Sequence, residues 1–256
     1  MSTITIQPHI LEILKRCRCE GTSLFLPEGG LDRNIYEQVN KILTNLGGKW
    51  NTKKKAHIFD EDPADAIQDA IMFGLVERAV DEKKLTQFFA TPADLAERMV
   101  MQAGIMPEHT VLEPSAGEGS IIAAIMEQCP TRLSIGVCEL DAKRQQILLK
   151  KFGPVINWLG TDFMKLDRNL RFDRIIMNPP FRNGQDIEHV YRAFNLLAPH
   201  GRLVAITAPG WTWRTDERHH GFRKLVEQHG HAEEIPAKTF RESGTDIRTM
   251  LVELHR

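Results

Sequence analysis

From about residue 88 onward, the chain alternates between short apolar runs and longer segments whose apolar residues share one helical face. The apolar runs, typical of buried strands, are residues 109–114, 133–140, 154–160, 172–178 and 201–207. The helical pattern recurs at residues 120–129, 141–152, 186–197 and 217–228. Strands and helices that alternate in this way predict a parallel sheet with helices on both faces.

The end of the chain breaks this alternation. Two more strand candidates, residues 232–240 and 245–256, have no helix-length segment between them, and strands joined directly usually pair antiparallel. We therefore predict an α/β fold with a mostly parallel, seven-stranded sheet that has an antiparallel last strand, and so an antiparallel edge. A helix precedes the first strand, and Thr91 to Asp94 predict its start, with the Thr91 hydroxyl as N-cap and Pro92 in the first turn.

Residues 1–85 follow a different pattern and are predicted to form a small α+β module, separate from a main domain at 86–256. Helical periodicity occurs near residues 8–18, 32–46 and 63–80. A short strand is predicted at residues 23–27, and residues 46–59 are typical of two strands joined by a turn. No acidic residue occurs from Lys41 to Phe59, so the predicted hairpin is strongly basic.

Composition narrows the classes of function. Hydrophobic residues make up 42% of the chain, enough for a sizeable core, and the net charge is -1, so nucleic-acid binding would need local basic patches. The four cysteines form no CxxC pair, so we expect neither a disulfide framework nor a metal site. The N-terminus lacks signal-peptide features, and no apolar run approaches the roughly 20 residues of a membrane span. We therefore expect a cytoplasmic protein without membrane contact.

A glycine-rich turn follows the first strand of the alternating region. Gly117 and Gly119 lie in the stretch VLEPSAGEGSI, where the missing Cβ atoms let the backbone approach a ligand. The glycines alone are equally typical of a plain tight turn. Glu139 lies about 20 residues further on, at the end of the second strand, and its carboxylate can accept hydrogen bonds from ribose hydroxyls. This pair of features favours a nucleoside-type cofactor.

Three further observations refine that interpretation. Ile122 replaces the last glycine of the pattern GxGxxG, which counts against a dinucleotide with a pyrophosphate. Asp162 and Phe163 end the third strand and are suited to reading an adenine. The fourth strand ends in Asn178-Pro179-Pro180-Phe181. Because ligands of open α/β sheets bind beyond the carboxyl ends of the strands, we expect all these residues at one edge.

Together these motifs resemble the class I S-adenosylmethionine-dependent methyltransferases that act on adenine amino groups. The matching residues, in the motif order of the gamma-type DNA adenine methyltransferases, are Phe89-Ala90-Thr91-Pro92, Glu113-Pro114-x-Ala116-Gly117-x-Gly119, Glu139, Asp162-Phe163 and Asn178-Pro179-Pro180-Phe181. The resemblance covers about residues 85–256. It implies a Rossmann-like class I methyltransferase fold and a site-specific, adenine-specific DNA methyltransferase that uses S-adenosylmethionine.

The resemblance also implies a role for each motif. The cofactor-binding residues would be Phe89, Ala90, Thr91, Glu113, Ser115, Ala116, Gly117, Gly119, Glu139, Leu140, Asp162, Phe163 and Asn178. Within this set, Thr91 would contact the methionine part of the cofactor, Glu139 the ribose, and Asp162 with Phe163 the adenine. The catalytic residues would be Asn178, Pro179, Pro180 and Phe181.

The chemistry of an adenine amine explains the residue types of the last motif. The amine lone pair is delocalised into the ring, so the nitrogen is a poor nucleophile. Two acceptors, the side-chain carbonyl of Asn178 and the backbone carbonyl of Pro179, would localise that lone pair, and proline fixes the backbone beforehand. The ring of Phe181 can stack on the base and stabilise the positive charge that develops. A base inside a duplex must be flipped out to reach such a pocket.

Three regions are candidates for contact with nucleic acid. Family members that read long sites carry a recognition domain after the last catalytic strand, whereas here predicted helices and strands use the residues that follow Phe181. The first candidate is the basic hairpin, with Lys49, Trp50, Lys53, Lys54 and Lys55. The second is the loop at 209–220, where we expect two exposed tryptophans to bind substrate, namely Trp211 and Trp213, with Arg214. The third precedes the last strand and comprises Arg241, Arg248 and Phe240, a ring that either sandwiches the flipped base or packs in the core.

Several alternatives remain open. The same clamp suits adenine in RNA or a glutamine side chain in a protein, although Phe181 and the basic hairpin favour nucleic acid. A subunit that binds S-adenosylmethionine without catalysis is an alternative of another class, whereas the loop pattern disfavours a nicotinamide dehydrogenase. A homodimer, in which one copy positions DNA for the other, is a further hypothesis. The N-terminal module looks similar to segments fused to phage-type methylases.

Overall fold

The structure, a computed structural model, describes residues 4–76, 90–129, 133–240 and 248–256. Contacts between residues divide the chain into two compact units, Met1–Leu85 and Thr86–Arg256. Two residues singled out in the sequence, Phe89 and Arg241, lie outside the described ranges.

The first unit combines three helices with a four-stranded antiparallel sheet and a separate two-stranded one. Its elements are β1 (Ile4–Thr5), α1 (Pro8–Lys15), β2 (Arg18–Glu20), β3 (Ser23–Phe25), α2 (Arg33–Asn45), β4 (Lys49–Asn51), β5 (Ala56–Ile58), α3 (Ala64–Phe73) and β6 (Leu75–Val76). The larger sheet has the order β2-β3-β5-β4, and β1 pairs with β6. Apolar residues of all three helices and of β3 form one core.

Local sequence explains where these helices begin and end. Helix α1 starts at Pro8, whose fixed φ suits a first turn, and α2 starts after Asp32, whose carboxylate accepts a hydrogen bond from Asn34 N at 2.9 Å. Helix α3 stops at Gly74, which adopts a left-handed φ of 62°. Helices α1 and α3 are shorter than the periodicity predicted, because the strands β2 and β6 begin within the predicted helical segments.

The second unit alternates strands and helices as predicted. Its elements are α4 (Ala93–Ala103), β7 (Thr110–Glu113), α5 (Ser120–Gln128), β8 (Ser134–Cys138), α6 (Ala142–Phe152), β9 (Ile156–Gly160), β10 (Phe172–Met177), α7 (Gln185–Asn195), β11 (Leu197–Thr207), α8 (Glu217–His229), β12 (Gly230–Ile235) and β13 (Thr249–His255). Four successive residues of β10, Arg174 to Met177, are all buried, so both faces of this central strand are covered.

The seven strands form a mostly parallel sheet in the order β12-β13-β11-β10-β7-β8-β9. Strand β13 pairs antiparallel with both β11 and β12, and the other strand pairs are parallel. The predicted antiparallel last strand and the antiparallel edge of the sheet are therefore confirmed. The chain end inserts between β11 and β12, where both sides of β13 can form backbone hydrogen bonds, and β12 becomes the edge.

The start of α4 also differs from the prediction. The N-cap position is occupied by Pro92, with φ -56° and ψ 146°, and no side chain caps the helix. The hydroxyl of Thr91 instead accepts a hydrogen bond from the side chain of Asn178, at 3.2 Å from Nδ2 to Oγ1. A contact between distant parts of the chain has thus replaced the local cap that the sequence predicted.

Within the described ranges, no helix is both long and apolar enough to cross a membrane.

Candidate cofactor and active site

The loops that follow three neighbouring parallel strands meet at the carboxyl edge of the sheet. Strands β8, β7 and β10 lie side by side, so the ends of all three point to the same edge. A cleft at this edge is lined by Thr91, Glu113, Ser115, Ala116, Glu118, Ser120 and Asn178. Three predicted parts of the site therefore meet at this cleft, namely the glycine loop, Thr91 ahead of α4, and the predicted catalytic residue Asn178. The topology of parallel strands requires the loops to meet at this edge.

The glycine loop has a backbone that only glycine adopts readily. Gly117 and Gly119 have φ values of 57° and 87°, and Gly119 is the N-cap of α5. A Cβ atom on Gly119 would lie 2.3 Å from Cε2 of Phe152, the last residue of α6. Glycine at this position thus allows both the turn and the close packing of α5 against α6.

Glu139 holds this loop in place. Its Oε2 accepts a hydrogen bond from Gly117 N at 2.8 Å, and its Oε1 accepts one from Asp141 N at 2.8 Å. The guanidinium of Arg144 lies 3.5 Å from Oε1. Because an ionised carboxylate has about four acceptor positions, further hydrogen bonds to ligand hydroxyls are compatible with these contacts.

Glu113, the last residue of β7, lies at the start of the same loop. Its side chain is buried and accepts a hydrogen bond from the backbone N–H of Ile122 in the first turn of α5. Burial, with a smaller contribution from the charge of Glu139, raises the pKa of Glu113 well above its usual value, although the Ile122 hydrogen bond opposes this. Among the described residues, Oε2 of Glu113 has no hydrogen-bond partner, so it is an acceptor at the wall of the cleft.

The Asn-Pro-Pro-Phe motif follows β10 directly. Asn178 is partly buried and its Nδ2 donates to Thr91 Oγ1, which fixes the orientation of the amide. Pro179 and Phe181 are buried, whereas Pro180 is exposed. The motif thus places one side-chain amide at the cleft and an aromatic ring just behind it.

Two hydrogen bonds join the loop after this motif to the loop after β11. Oδ2 of Asp186, a buried residue at the start of α7, accepts from Ala208 N at 2.7 Å. Arg218 of α8 donates to the backbone carbonyl of Asn183 at 3.1 Å. Asn183 and Gly184 both have left-handed φ values, 54° and 69°, and a Cβ on Gly184 would lie 2.5 Å from the Arg218 guanidinium. The sequence analysis missed these contacts. The only signal for them in the sequence was the glycine at position 184, where the backbone has a left-handed φ.

Other residues of the predicted cofactor set lie outside the cleft lining. Asp162 accepts from Met164 N at 3.0 Å and pairs with Lys165. Phe163 is buried in the core, 5.6 Å from the ring of His189. Leu140 is mostly exposed, and Ala90 is half-buried. The cleft also includes Glu118 and Ser120, which the sequence analysis did not single out although they alternate with the loop glycines.

The two tryptophans after β11 have different environments. Trp213 is 51% exposed, as expected, but Trp211 is only 6% exposed, so the prediction of two exposed rings is wrong. The indole N–H of Trp211 donates to Thr207 Oγ1 at 3.0 Å, and its ring packs edge-on against Phe222. Between β11 and α8 the chain turns back onto the core at Trp211. The residues around Trp211 in the sequence do not predict its contact with Phe222.

The other substrate candidates are found in three places. Arg214 is mostly buried and pairs with Asp216 at 3.1 Å, and Phe240 is 1% exposed, which supports its alternative interpretation as a core residue. Arg248 pairs with Glu234 on the neighbouring strand β12. The hairpin residues all lie in the first unit and are exposed, namely Lys49, Trp50, Lys53, Lys54 and Lys55. No group of three or more potential metal ligands occurs among the described residues.

Comparisons with curated proteins identify methyltransferases as relatives of part of the chain, whereas no protein-family model matches it. Over 105 residues, the chain is 34% identical to the modification methylase CviBIII of Paramecium bursaria Chlorella virus NC1A, across 39% of this chain and 27% of that protein. Over 86 residues, it is 30% identical to ribosomal RNA small subunit methyltransferase A of Prosthecochloris aestuarii, across 34% of this chain and 31% of that protein. The chain spans less than a third of the length of either relative.

Solved structures are similar over more of the chain. A modification subunit of a proposed type I restriction enzyme from Vibrio vulnificus has a TM-score of 0.57 and 15% identity, covering 88% of this chain and 53% of that one. A proposed RNA methyltransferase from Pyrococcus horikoshii has a TM-score of 0.52 and 18% identity, covering 69% of this chain and 90% of that one. At these identities, the likeness establishes the fold.

The fold is that of the class I S-adenosylmethionine-dependent methyltransferases, as the sequence predicted. The predicted cofactor, S-adenosylmethionine, is the methyl donor of this class. The cleft fits such a group in two respects. The glycine turn presents the small residues Ser115 and Ala116 to the cleft, and the carboxyl groups of Glu113 and Glu118 in its lining suit a ligand that carries a positive charge and hydroxyl groups.

We expect the two tryptophans to differ in their effect on stability. Trp211→Ala should lower the free energy of unfolding by about 3–5 kcal/mol, because it leaves a cavity beside Phe222. Trp213→Ala, the matched control in the same loop, should change it by less than about 0.5 kcal/mol. Urea unfolding followed by circular dichroism measures both. Equal effects of the two substitutions would contradict the burial of Trp211.

The raised pKa of Glu113 predicts a pH effect on stability. As pH rises above 4.5, the unfolded chain loses a proton that the folded chain retains until its higher pKa is reached, so this residue's contribution to stability is lost with rising pH. Glu113→Gln removes the titration, so the variant should gain stability relative to wild type from about pH 5 to pH 8. Urea unfolding across that range checks the trend, with Glu118→Gln, an exposed carboxyl in the same loop, as control. A stability difference between wild type and Glu113→Gln that does not change with pH would show that Glu113 ionises normally.

Proposed function

We propose that the chain transfers a methyl group from S-adenosylmethionine to the exocyclic N6 amine of adenine in DNA. The observation that carries the proposal is the cleft in which Asn178, followed by two prolines and Phe181, lies beside the glycine loop. The identity with a modification methylase supports DNA as the substrate.

The residues of the glycine loop would hold the cofactor, which when bound supplies an electrophilic methyl group on a positively charged sulfur. Glu113 would accept a hydrogen bond from the ammonium group of the methionine part through Oε2, the atom without a partner among the described residues. Glu139 would accept from the ribose hydroxyls while it keeps Gly117 in place. Asp162 and Phe163 would contact the adenine of the cofactor, a role that the family resemblance implies.

Asn178 and Pro179 would activate the target amine. Thr91 accepts from the amide nitrogen of Asn178, and this contact sets the amide so that its oxygen serves as the acceptor for the substrate. The backbone carbonyl of Pro179 is the second acceptor, and both are fixed before the substrate binds. With its lone pair localised by these two hydrogen bonds, the amine would take the methyl carbon as the methyl–sulfur bond breaks, and the sulfur would leave as a neutral thioether. The surplus proton on the nitrogen would then pass to solvent, so no separate general base is needed for the transfer.

The ring of Phe181 would stack on the target base and stabilise the positive charge on its nitrogen. Because Phe181 is 6% exposed, neighbouring side chains must move aside before a base can lie on its ring. The target base must also leave its own stack, so it is either flipped out of a duplex or presented in a single strand.

Adenine in RNA is the second candidate substrate. The observation in its favour is the 30% identity over 86 residues with a ribosomal RNA methyltransferase. The clamp of Asn178 and Pro179 reads only the planar amine, so the chemistry is the same for both nucleic acids. Contacts to the sugar distinguish them, since RNA alone carries a 2′-hydroxyl.

The proposed reaction predicts N6-methyladenine as the product. Purified protein is incubated with isotopically labelled S-adenosylmethionine and with duplex DNA, single-stranded DNA or RNA, and the digested nucleosides are analysed by mass spectrometry. We expect methyladenine from DNA. Methyladenine from RNA alone would favour the second candidate, and no methylated nucleoside from any of the three would refute both.

Asn178→Ala should lower the turnover number by about 10²–10³, because one acceptor on the amine is lost in the transition state. The dissociation constant for S-adenosylmethionine, measured by calorimetry, should change by less than about threefold, since the main cofactor contacts lie in the glycine loop. Asn157→Ala, an exposed asparagine of β9, is the matched control. If both turnover and cofactor affinity fell equally, Asn178 would have a structural role instead.

Thr91 is expected to be a positioning residue that acts through Asn178. Thr91→Val keeps the shape of the side chain but removes the hydroxyl, so turnover should fall by about 10- to 100-fold through misorientation of the amide. Thr91→Ser restores the hydroxyl and should keep turnover within about threefold of wild type. Steady-state kinetics separate the two roles of Thr91. A raised KM for the cofactor with unchanged turnover in Thr91→Val would assign Thr91 to cofactor binding alone.

A further inference from the structure

The basic hairpin of the first unit is a defined structure. Strands β4 and β5 pair antiparallel, with Trp50 opposite His57. In the turn between them, Oδ1 of Asn51 accepts hydrogen bonds from the backbone N–H groups of Lys53 and Lys54, both at 3.0 Å. These two bonds fix the path of the turn, so the lysine side chains project from a rigid base.

The lysines of this hairpin are exposed and make no ion pair with any described residue. They are Lys49, Lys53, Lys54 and Lys55. Lys55 has a left-handed φ of 51°, a conformation that favours glycine or asparagine. A lysine at such a position costs conformational energy.

Trp50 lies next to the lysines and is only partly covered. It is 40% exposed, and its ring packs edge-on against Tyr36 of α2 and His57 of β5, with centroid distances of 6.1 and 5.0 Å. His57 is fully buried and bonds to Asn40 at 2.9 Å, so it supports the ring from inside the unit. A large ring that is anchored on one side and open to solvent on the other is a stacking platform.

We propose that the hairpin binds a nucleic-acid strand with unpaired bases, its lysines on the phosphates and Trp50 stacked on a base. The combination of positive charge and an anchored, exposed ring matches the two chemical features of such a strand, an anionic backbone and planar bases. The choice of ligand rests on the proposed function, in which the chain acts on nucleic acid. The hairpin would add a second contact, in addition to the cleft at Asn178.

The lysines also suit a simpler role. Strand β4 is at the edge of its sheet, and charged side chains protect exposed edges from pairing with other chains. That role requires no ligand, so it predicts that charge reversal leaves nucleic-acid affinity unchanged. It also offers no account of the exposed ring beside the lysines.

The test is the affinity of the full chain for fluorescently labelled single strands of DNA and RNA and for duplex DNA, measured by anisotropy without cofactor at several salt concentrations. Lys53→Glu with Lys54→Glu should weaken binding by at least about tenfold at low salt and lower the salt slope by about 1.5, since two phosphate contacts are lost. Lys150→Glu with Lys151→Glu is the matched control, two adjacent exposed lysines in the last turn of α6. It should bind as the wild type does.

Trp50→Ala should weaken binding to single strands by about 5- to 100-fold with an unchanged salt slope, whereas Trp50→Phe retains a stacking ring and should lose less. Thermal unfolding of each variant checks that the first unit remains folded, and the lysine pair is exposed, so we expect no loss there. If the hairpin pair and the α6 pair bound equally well, the proposal would be overturned. Tighter binding of duplex than of single strands would equally overturn the stacking role of Trp50.

The outcomes for the hairpin and for the proposed function are separate. Methylation of DNA by a protein whose affinity does not depend on the hairpin would overturn the hairpin proposal alone. Hairpin-dependent binding without methylation of any nucleic acid would overturn the proposed reaction alone. Anisotropy with the DNA and RNA strands side by side shows which of the two nucleic acids supplies the phosphates.

Discussion

The carboxylate of Glu139 is the contact on which the candidate site depends. Its two oxygens accept hydrogen bonds from the backbone N–H groups of Gly117, in the turn after β7, and of Asp141, in the turn after β8. These two hydrogen bonds hold the two turns at a fixed separation. The parallel pairing of β7 with β8 brings these turns to the same edge, and the carboxylate then locks them. A buried carboxylate that accepts two N–H groups is well satisfied, whereas Glu113 beside it accepts one, and burial raises its pKa. One carboxyl group therefore fixes the backbone beside the cleft, and the other, in the cleft lining, has an oxygen without a hydrogen-bond partner among the described residues.

Much of the second unit could be predicted from the sequence because its signals are local. The apolar runs and amphipathic segments identified the strands and helices, and motif residues at the ends of parallel strands necessarily converge. The same logic located Asn178 beside the glycine loop. In the first unit, the basic hairpin was predictable because its two strands are joined by a short turn, but the lengths of α1 and α3 were not, since strands β2 and β6 compete for the same residues.

The errors share a physical cause, which is contact between residues far apart in the chain. Thr91 was predicted as a helix cap, yet its hydroxyl bonds to Asn178, 87 positions away. Trp211 and Trp213 are nearly adjacent in a polar loop, and only the position of Phe222 determines that the first is buried. The position of β13 within the antiparallel end was not predicted either, since it is set by pairing with both β11 and β12. The periodicity of hydrophobic residues in the sequence predicts none of these contacts.

Two hydrogen bonds, from Ala208 N to Asp186 and from Arg218 to the carbonyl of Asn183, connect the segment after Phe181 with the segment after β11. The first of these segments continues from the Asn-Pro-Pro-Phe motif, and the second carries Trp213 at the surface. A substitution after β11 that displaces Ala208 would therefore also strain the start of α7, shortly beyond Phe181. The surface around Trp213 and the backbone that follows the motif share these supports, so neither can be remodelled independently of the other.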